Sequence, residues 1–501
     1  MKKLAVPLIL ALAVVLAILF HILLPLQNGI HINTVDAYYM LRYADIWPNL
    51  PATDFFFNYP TGTTPMPTMF WPALIALVSD IFSMPVTTAG AWLPPVLFLL
   101  TLIPVYIITK ELFGSNIMAS VSVLILAMMP GEVLHRTMLG AADCHCLEIF
   151  LVAMIMMFSL LALKKWIYWM GAFAFAVLYF FSWRGAPIIL PMIALFLIIL
   201  FYKRWQMWLA TAFVSAGIYF IFPKIIKSGL DILILNIHST VSETMPLFFT
   251  SGHFDATNMI ANFGITLILS LFGAGILLRK YIKSKDKGTL LFLVWFAVMF
   301  ALTFSMRRFA YYFAVNIAMA TSFAIFYLVQ KIRFSKAGLY KYAAVLGIAI
   351  PLLFLQRSFV TATSDFGTMP IAWQEAASWL RVQNTTTCEK GYFTGEDLGY
   401  AVLSQWNYGY WIAREAHMPV SFTPGNWRGN DILRKTDISE DIKKNHWRYI
   451  VLCEEMFTTN KNVIFKGNST MTQSAVYNIF YSGKPIWQSE DGTVKIFEES
   501  K

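Results

Sequence analysis

Residues 131–165 read GEVLHRTMLGAADCHCLEIFLVAMIMMFSLLALKK, and this stretch decides the fold. It opens on a turn carrying Glu132, Asp143, His145 and Glu148. A predominantly apolar helix is expected over about 146–163, and Lys164-Lys165 closes it. A run of this length suits a bilayer span, and a lysine pair just beyond it marks the cytoplasmic end. The carboxylates and the histidine then sit at the opposite, external end.

The same punctuation recurs in both directions. Lys2-Lys3 precede the first apolar run, and Lys110 follows a helix expected over 89–109. Lys203-Arg204 follow 186–202, and Arg279, Lys280, Lys283, Lys285 and Lys287 follow 259–278. Lys331, Arg333 and Lys336 follow 309–330. Every second loop is basic, which makes 26–88, 131–145, 182–185, 223–258, 305–308 and everything after about 357 external. Arg136, Arg184, Lys224 and Lys227 run against that rule, so it holds on balance. The pattern predicts a polytopic α-helical membrane protein of about 11 to 13 transmembrane helices, with the N-terminus cytoplasmic. Met1-Lys2-Lys3 and the run to Leu24 have the look of a signal peptide, but the run is long and lacks a small-residue cleavage site. It reads as a retained first helix. Residues 66–84 are apolar enough to span, yet Pro65, Pro67, Pro72 and Asp80 favour an external or re-entrant helical segment.

Composition agrees. The chain is 58% hydrophobic and 13% charged, with mean hydropathy +0.60, which excludes a soluble enzyme. The net charge of +10 follows from loop lysines and arginines, and no basic run is interleaved with exposed aromatics as nucleic-acid binding requires. Residues 1–357 form the expected membrane domain, with external loops 26–88 and 223–258. Residues 358–501 form a small mixed α/β extracytoplasmic domain. In it, Trp373, Ala376, Ala377 and Leu380 have helical spacing, 449–452 reads as a buried strand, and Lys484 to Glu498 reads as a hairpin turning at Asp491-Gly492. An external tail also admits a Cys388–Cys453 disulfide.

Twelve acidic residues occur in the first 356 positions, and only Glu111 and Asp286 fall on the cytoplasmic side. Ionisable groups at a membrane are costly and read as functional by default. Asp36 stands just after the first helix, where a helix cap is the ordinary explanation. Asp143-Cys144-His145 sets a carboxylate and an imidazole two residues apart, which suits one divalent cation or a capped helix start. Thr240 to Glu243 lies in the long external loop, as a ligand or a solvated charge. Arg307-Arg308 at an external helix start call for an anionic partner such as a phosphate, or snorkel to headgroups. Gln405-Trp406-Asn407-Tyr408-Gly409 is dense in aromatics and amides, fit to read a small polar side chain or to form a strand and turn.

In this order along nearly the whole chain, the motifs resemble the catalytic subunit of oligosaccharyltransferase in its single-subunit archaeal or bacterial form. The family has an Asp in the first external loop (Asp36) and Asp-x-His in the second (Asp143, His145). It has a Ser/Thr-x-x-Glu-like motif in a long loop (Thr240 to Glu243), an Arg-Phe helix start (Arg308, Phe309) and a WWDYG motif in the external domain. The resemblance implies a GT-C fold in the plasma membrane and probes of function follow from it. It implies Mg²⁺ or Mn²⁺ held by Asp36, Asp143, His145 and Glu243, with Asp36 and Glu243 also gripping the acceptor amide. Arg308 and Arg307 would face the diphosphate of a lipid-linked oligosaccharide donor. The acceptor would be an Asn in an Asn-X-Ser/Thr sequon of a protein or peptide, transfer would invert the anomeric carbon, and the chain would act as a monomer among membrane lipids. Gln405-Trp406-Asn407-Tyr408-Gly409 stands where the family has WWDYG, so the first Trp and the Asp are replaced. An amide accepts a sequon hydroxyl without charge assistance. Those replacements keep open a same-fold transferase that uses a polyprenyl-linked sugar on an O-linked or lipid acceptor. A second hydroxyl-reading motif is sought at Glu454, Met456 and Lys461.

Overall fold

A computed structural model of the chain describes all residues except 1, 28, 66–68, 184, 187–188, 201–244, 248, 251–252, 255, 332–344, 347–348, 350–351, 365–366, 384–400, 425, 427, 466–467 and 499–501. The chain divides into two compact units. The first comprises Met1–Ile30, Thr68–Trp71 and Ala91–Ser364; the second comprises His31–Pro67, Pro72–Gly90 and Asp365–Lys501.

The first unit is a helical bundle. Among the described residues, six helices are long and apolar enough to cross a membrane: Leu4–Leu26, Val86–Phe113, His145–Ala162, Ile265–Ser284, Lys287–Ser305 and Arg307–Lys331. Asn116–Ala127 and Tyr168–Ser182 are shorter apolar helices. The Ala310–Lys331 helix is central, packing on Ile265–Ser284, Asn116–Ala127 and Lys287–Ser305. Its small residues permit this. A Cβ on Gly273 would lie 2.4 Å from the Ala320 carbonyl oxygen, so only glycine lets those two helices approach so closely. Lys164 pairs with Glu111, which brings the ends of the Val86–Phe113 and His145–Ala162 helices to the same side of the bundle. The first helix contains a π-helical turn over Leu19–Leu23, where buried His21 stacks on Phe98 at 3.8 Å.

The 66–84 segment yields the Phe70–Phe82 helix of 13 residues, short of the about 20 that a span needs. In the second unit the expected tail elements form. Ile371–Gln383 is a helix, and Trp447–Cys453 is a strand that is buried apart from Arg448. Trp487–Gln488 and Val494–Glu498 make the antiparallel hairpin. Its turn is held by Asp491 Oδ1, which accepts from Thr493 N and Ser489 Oγ at 2.9 and 2.6 Å. The sheet order is Ala401–Leu403, Trp447–Cys453, Val494–Glu498, Trp487–Gln488, with the first pair parallel. The Cys388–Cys453 bond that the sequence left open is not made by Cys453, which is a buried free thiol whose Sγ donates to the Tyr408 hydroxyl at 3.2 Å. Cys388 lies outside the described residues.

An ion pair that the sequence did not announce braces this unit. Arg42 Nε meets Asp54 Oδ2 at 3.2 Å, Arg42 Nη1 donates to the Ala413 carbonyl at 3.1 Å, and the guanidinium lies 4.2 Å from the Phe56 ring centre. Both side chains are buried. Arg42→Leu leaves a buried carboxylate without its cation, so a loss of about 3–5 kcal/mol is expected, read as a drop in the detergent thermal-unfolding midpoint. Burial pushes the Cys453 thiol up to about 11, so at pH 8 it stays protonated. Iodoacetamide should leave Cys453 unmodified in the native protein and modify it fully after denaturation, as read by peptide mapping.

Candidate active site

The second of the motif-bearing turns is built from backbone ties. Gly131 adopts φ +73° where a Cβ would collide with Asn262, and the Asn262 side-chain oxygen accepts from Glu132 N at 2.7 Å. Further along, Leu139 N donates to the His21 carbonyl at 2.8 Å and Gly140 N to the Ala91 carbonyl at 3.1 Å. Thr137 Oγ1 lies 3.0 Å from His21 Nδ1, and Trp71 Nε1 donates to the Ala142 carbonyl at 3.0 Å. The turn that carries Asp143 is thus pinned to the first helix, to the helix through Ala91 and to Trp71.

Asp143 and His145 come together here. His145 Nε2 lies 3.2 Å from Asp143 Oδ2, and both side chains are buried. The other Asp143 oxygen accepts from Cys144 N at 2.6 Å. Cys144 occupies the position before the His145–Ala162 helix and makes no side-chain cap, so Asp143 faces His145 rather than capping the helix. Arg136 Nη1 stands 3.9 Å from Asp143 Oδ2, and its Nε lies 3.4 Å from Glu132 Oε2. The sequence flagged Arg136 only as a breach of the charge rule; an arginine seven residues ahead of an Asp-x-His was the signal for its role.

The far side of His145 is equally specified. Nδ1 lies 3.1 Å from Glu148 Oε1 and 3.1 Å from the Tyr311 hydroxyl. Glu148 has no exposed surface. Its Oε2 accepts from the Tyr311 and Tyr312 hydroxyls at 2.8 and 2.5 Å, and its Oε1 also accepts from Cys144 Sγ at 3.0 Å. A carboxylate has about four acceptor positions, so this one is saturated, and Nδ1 must carry a hydrogen to face it. That leaves the Nε2 lone pair turned to the Asp143 carboxylate. Two acceptors at 3.2 Å need a proton or a cation between them. Cis ligands held at about 2.0–2.2 Å from one ion stand roughly 3 Å apart, so the pair fits a divalent cation. Cys144, His145 Nδ1 and Glu148 also lie close enough to suggest a metal trio. The saturation of Glu148 argues against it, because a metal there would displace the donors.

The arginine pair splits in role. Arg307 Nε makes an ion pair with Glu132 Oε1 at 2.8 Å, while the Arg308 guanidinium lies 4.9 Å from the Trp183 ring centre. Phe309, next in the chain, is fully buried and fixes this helix start. Glu243 lies outside the described residues.

In the second unit, Asp36 is exposed on the first turn of the Val35–Asp45 helix. Thr34 holds the cap position, so the cap reading of Asp36 is corrected. Gln405 to Gly409 is neither a strand nor an open loop. Trp406–Tyr408 form a tight 3-10 turn that runs into the Gly409–Glu415 helix. A Cβ on Gly409 would lie 2.2 Å from the Phe422 carbonyl oxygen, which is why the turn ends on glycine. Tyr408 stacks on Trp373 at 4.2 Å, and its hydroxyl donates to Glu455 Oε2 at 3.2 Å. Burial, then the neighbouring Cys453 and Glu455, push the Tyr408 phenol well above its ordinary range. Gln405 is wholly buried, with no hydrogen-bond partner for its amide among the described residues, while Trp406 and Asn407 keep partial exposure. Of the five motif residues, those two therefore offer surface to a ligand in this conformation. Met456 is fully buried, so of the three candidates for a second hydroxyl-reading motif it faces the core.

Comparison with known proteins follows the same lines. A family profile described as the N-terminal part of the oligosaccharyl transferase STT3 matches residues 26–285. The dolichyl-phosphooligosaccharide-protein glycotransferase 3 of Archaeoglobus fulgidus is 24% identical over 74% of this chain, which spans 58% of that relative's length. Glycotransferase 1 of the same organism is 23% identical, with 87% of this chain and 85% of the relative covered. The structure of archaeal oligosaccharyltransferase AglB from Archaeoglobus fulgidus, in complex with an inhibitory peptide and a dolichol-phosphate, superposes with a TM-score of 0.79 at 21% identity, covering 100% of this chain and 75% of that one. ArnT from Cupriavidus metallidurans bound to undecaprenyl phosphate superposes with a TM-score of 0.56 at 11% identity, covering 98% and 97%. The fold is the GT-C membrane type with a small C-terminal sheet, and the chain belongs to the STT3 oligosaccharyl transferase family.

Proposed function

We propose that this chain transfers an oligosaccharide from a polyprenyl diphosphate-linked donor to the Asn side chain of Asn-X-Ser/Thr sequons. The bond from the anomeric carbon to the diphosphate oxygen breaks, a carbon–nitrogen bond forms on the opposite face, the lipid diphosphate departs, and the proton lost by the amide nitrogen passes to solvent. The observation that carries the reading is the buried Asp143–His145 pair, whose facing acceptors stand at a spacing that a divalent cation or a proton bridges. Family membership and the relatives' printed activities support the same chemistry. One related Archaeoglobus fulgidus structure is a complex with zinc and sulfate.

Mn²⁺ or Mg²⁺ would be held by Asp143 and His145, with Asp36 and Glu243 entering from the resemblance alone. When bound, such an ion neutralises charge on the departing diphosphate. Asp36 and Glu243 would accept the two acceptor amide hydrogens and hold that amide twisted, which frees the nitrogen lone pair. Arg308, with Arg307 beside it, would take up the diphosphate oxygens through guanidinium hydrogen bonds. Trp406 and Asn407 would meet the acceptor, with Asn407 taking the sequon hydroxyl. The membrane topology would place the Asp143 end of the bundle and the C-terminal domain outside, with the Lys164–Glu111 end in the cytoplasm. The altered motif Gln405-Trp406-Asn407 leaves a same-fold transferase acting on another acceptor as the second reading.

The test is transfer from a lipid-linked oligosaccharide to fluorescent peptides with Asn-X-Thr, Gln-X-Thr and Asn-X-Ala cores, with and without Mn²⁺. Metal-dependent product on Asn-X-Thr alone is the expected result; none on any Asn peptide, with intact protein and a matching donor, moves the assignment to another acceptor. In that assay Asp143→Asn and His145→Ala should each lower kcat/KM by more than about 100-fold, since even outer-shell partners of a metal cost 10–100-fold. Asn407→Asp restores a charged acceptor for the hydroxyl. It should tighten KM for Asn-X-Thr about 3- to 10-fold and sharpen discrimination against Asn-X-Ala; equal kinetics for both proteins would remove Asn407 from sequon reading.

A further inference from the structure

We propose that Glu148 is a positioning residue that fixes the tautomer and the direction of His145, so that Nε2 alone is offered as a metal ligand beside Asp143. The inference rests on the metal-dependent reading above and goes beyond it, since no motif that led to that reading includes Glu148.

Four observations converge. Glu148 sits one helical turn after His145, at i+3, which puts both on one face of the His145–Ala162 helix. Its Oε1 lies 3.1 Å from His145 Nδ1. Its Oε2 is held by two phenols from another helix, Tyr311 and Tyr312, at 2.8 and 2.5 Å. The Tyr312 hydroxyl is itself 2.8 Å from the Tyr179 hydroxyl, contributed by a third helix. The carboxylate therefore cannot swing toward a ligand or away from the imidazole. A carboxylate on the back of a metal-binding imidazole raises its basicity and locks its ring, and such outer partners matter to affinity by 10–100-fold. The same saturation assigns Cys144 to packing, because its Sγ only adds a weak donor to Glu148 Oε1 at 3.0 Å.

The experiment titrates Mn²⁺ alone into the purified full-length protein in detergent and reads free Mn²⁺ by electron paramagnetic resonance. Wild type, Glu148→Gln, Glu148→Ala, Cys144→Ser and Asp143→Asn are compared, and peptide transfer is measured on the same samples. The expected order is tight binding by wild type and Cys144→Ser, several-fold weaker by Glu148→Gln, and about 10- to 100-fold weaker by Glu148→Ala. Asp143→Asn should lose the site. Excess Mn²⁺ should restore turnover to Glu148→Gln, which a merely structural defect would not allow. If Glu148→Ala fails to fold, the near-isosteric Glu148→Gln decides: wild-type Mn²⁺ affinity in it overturns the proposal. Loss of Mn²⁺ binding in Cys144→Ser also overturns it, in favour of a thiol-containing site on the Nδ1 side. A wild type that neither binds Mn²⁺ nor transfers glycan sinks the metal-dependent function itself. Binding and transfer by wild type with unaffected Glu148 variants sink only the positioning role.

Discussion

A carboxylate without exposed surface, one turn into an apolar helix, sets the terms for one end of the helical unit. Removing such a charge from water costs several kcal/mol, and only a complete set of donors offsets it. Glu148 has that set: a thiol, an imidazole N–H and two phenols. Because the donors come from separate stretches of chain, the carboxylate fastens the His145–Ala162 helix to the start of the Ala310–Lys331 helix. Tyr179 extends the tie to the Tyr168–Ser182 helix. In an apolar setting, where helix association draws little from hydrophobicity, polar ties of this kind specify which helices meet and in what register.

The same tie couples structure to chemistry. With Nδ1 committed to Glu148, the imidazole presents a single direction, and Asp143 stands in it. The turn that brings Asp143 there is held from behind by the His21 and Ala91 carbonyls and by the Trp71 indole. The basic groups around it are arranged in sequence: Arg136 toward Asp143 and Glu132, Arg307 toward Glu132, and Arg308 against Trp183. Among the described residues, Arg136 and Arg307 are thus held by carboxylates, and Arg308 lies against an aromatic face.

Much of this was legible in residue order. Long apolar runs, lysines after them, and carboxylates before them predicted the helices, because a bilayer imposes both length and charge placement on a chain. The Asp491-Gly492 turn and the apolar 449–452 run predicted the hairpin and strand in the same way. The 66–84 segment was read as external or re-entrant from its prolines and Asp80, and its helix is 13 residues long. What could not be read was long-range. Arg42 and Asp54 look like ordinary loop charges until a fold brings them within 3.2 Å. Glu148 stood only among the charges of the external turn, since its partners Tyr311 and Tyr312 lie more than a hundred residues downstream. For Gln405 to Gly409 the sequence left a ligand-reading stretch and a strand and turn both open, and the collision that reserves Gly409 for glycine depends on Phe422. Asp36 was singled out by its place after the first helix and the Asp143–His145 pair by spacing, but whether a carboxylate caps a helix or faces a neighbour is decided by backbone geometry at a single residue.

The widened turn at Leu19–Leu23 bears on how the first helix can be treated. For insertion into a bilayer, one apolar segment of about twenty residues is as good as another. Here the segment also supplies a backbone carbonyl, an imidazole and a ring-stacking surface at fixed heights, to Leu139, Thr137 and Phe98. A generic leader or anchor grafted in its place would preserve delivery and discard the template against which the Asp143 turn is shaped. The N-terminal helix is therefore part of the scaffold of the Asp143 turn, and a chimaera that exchanges it must carry the His21 turn across intact.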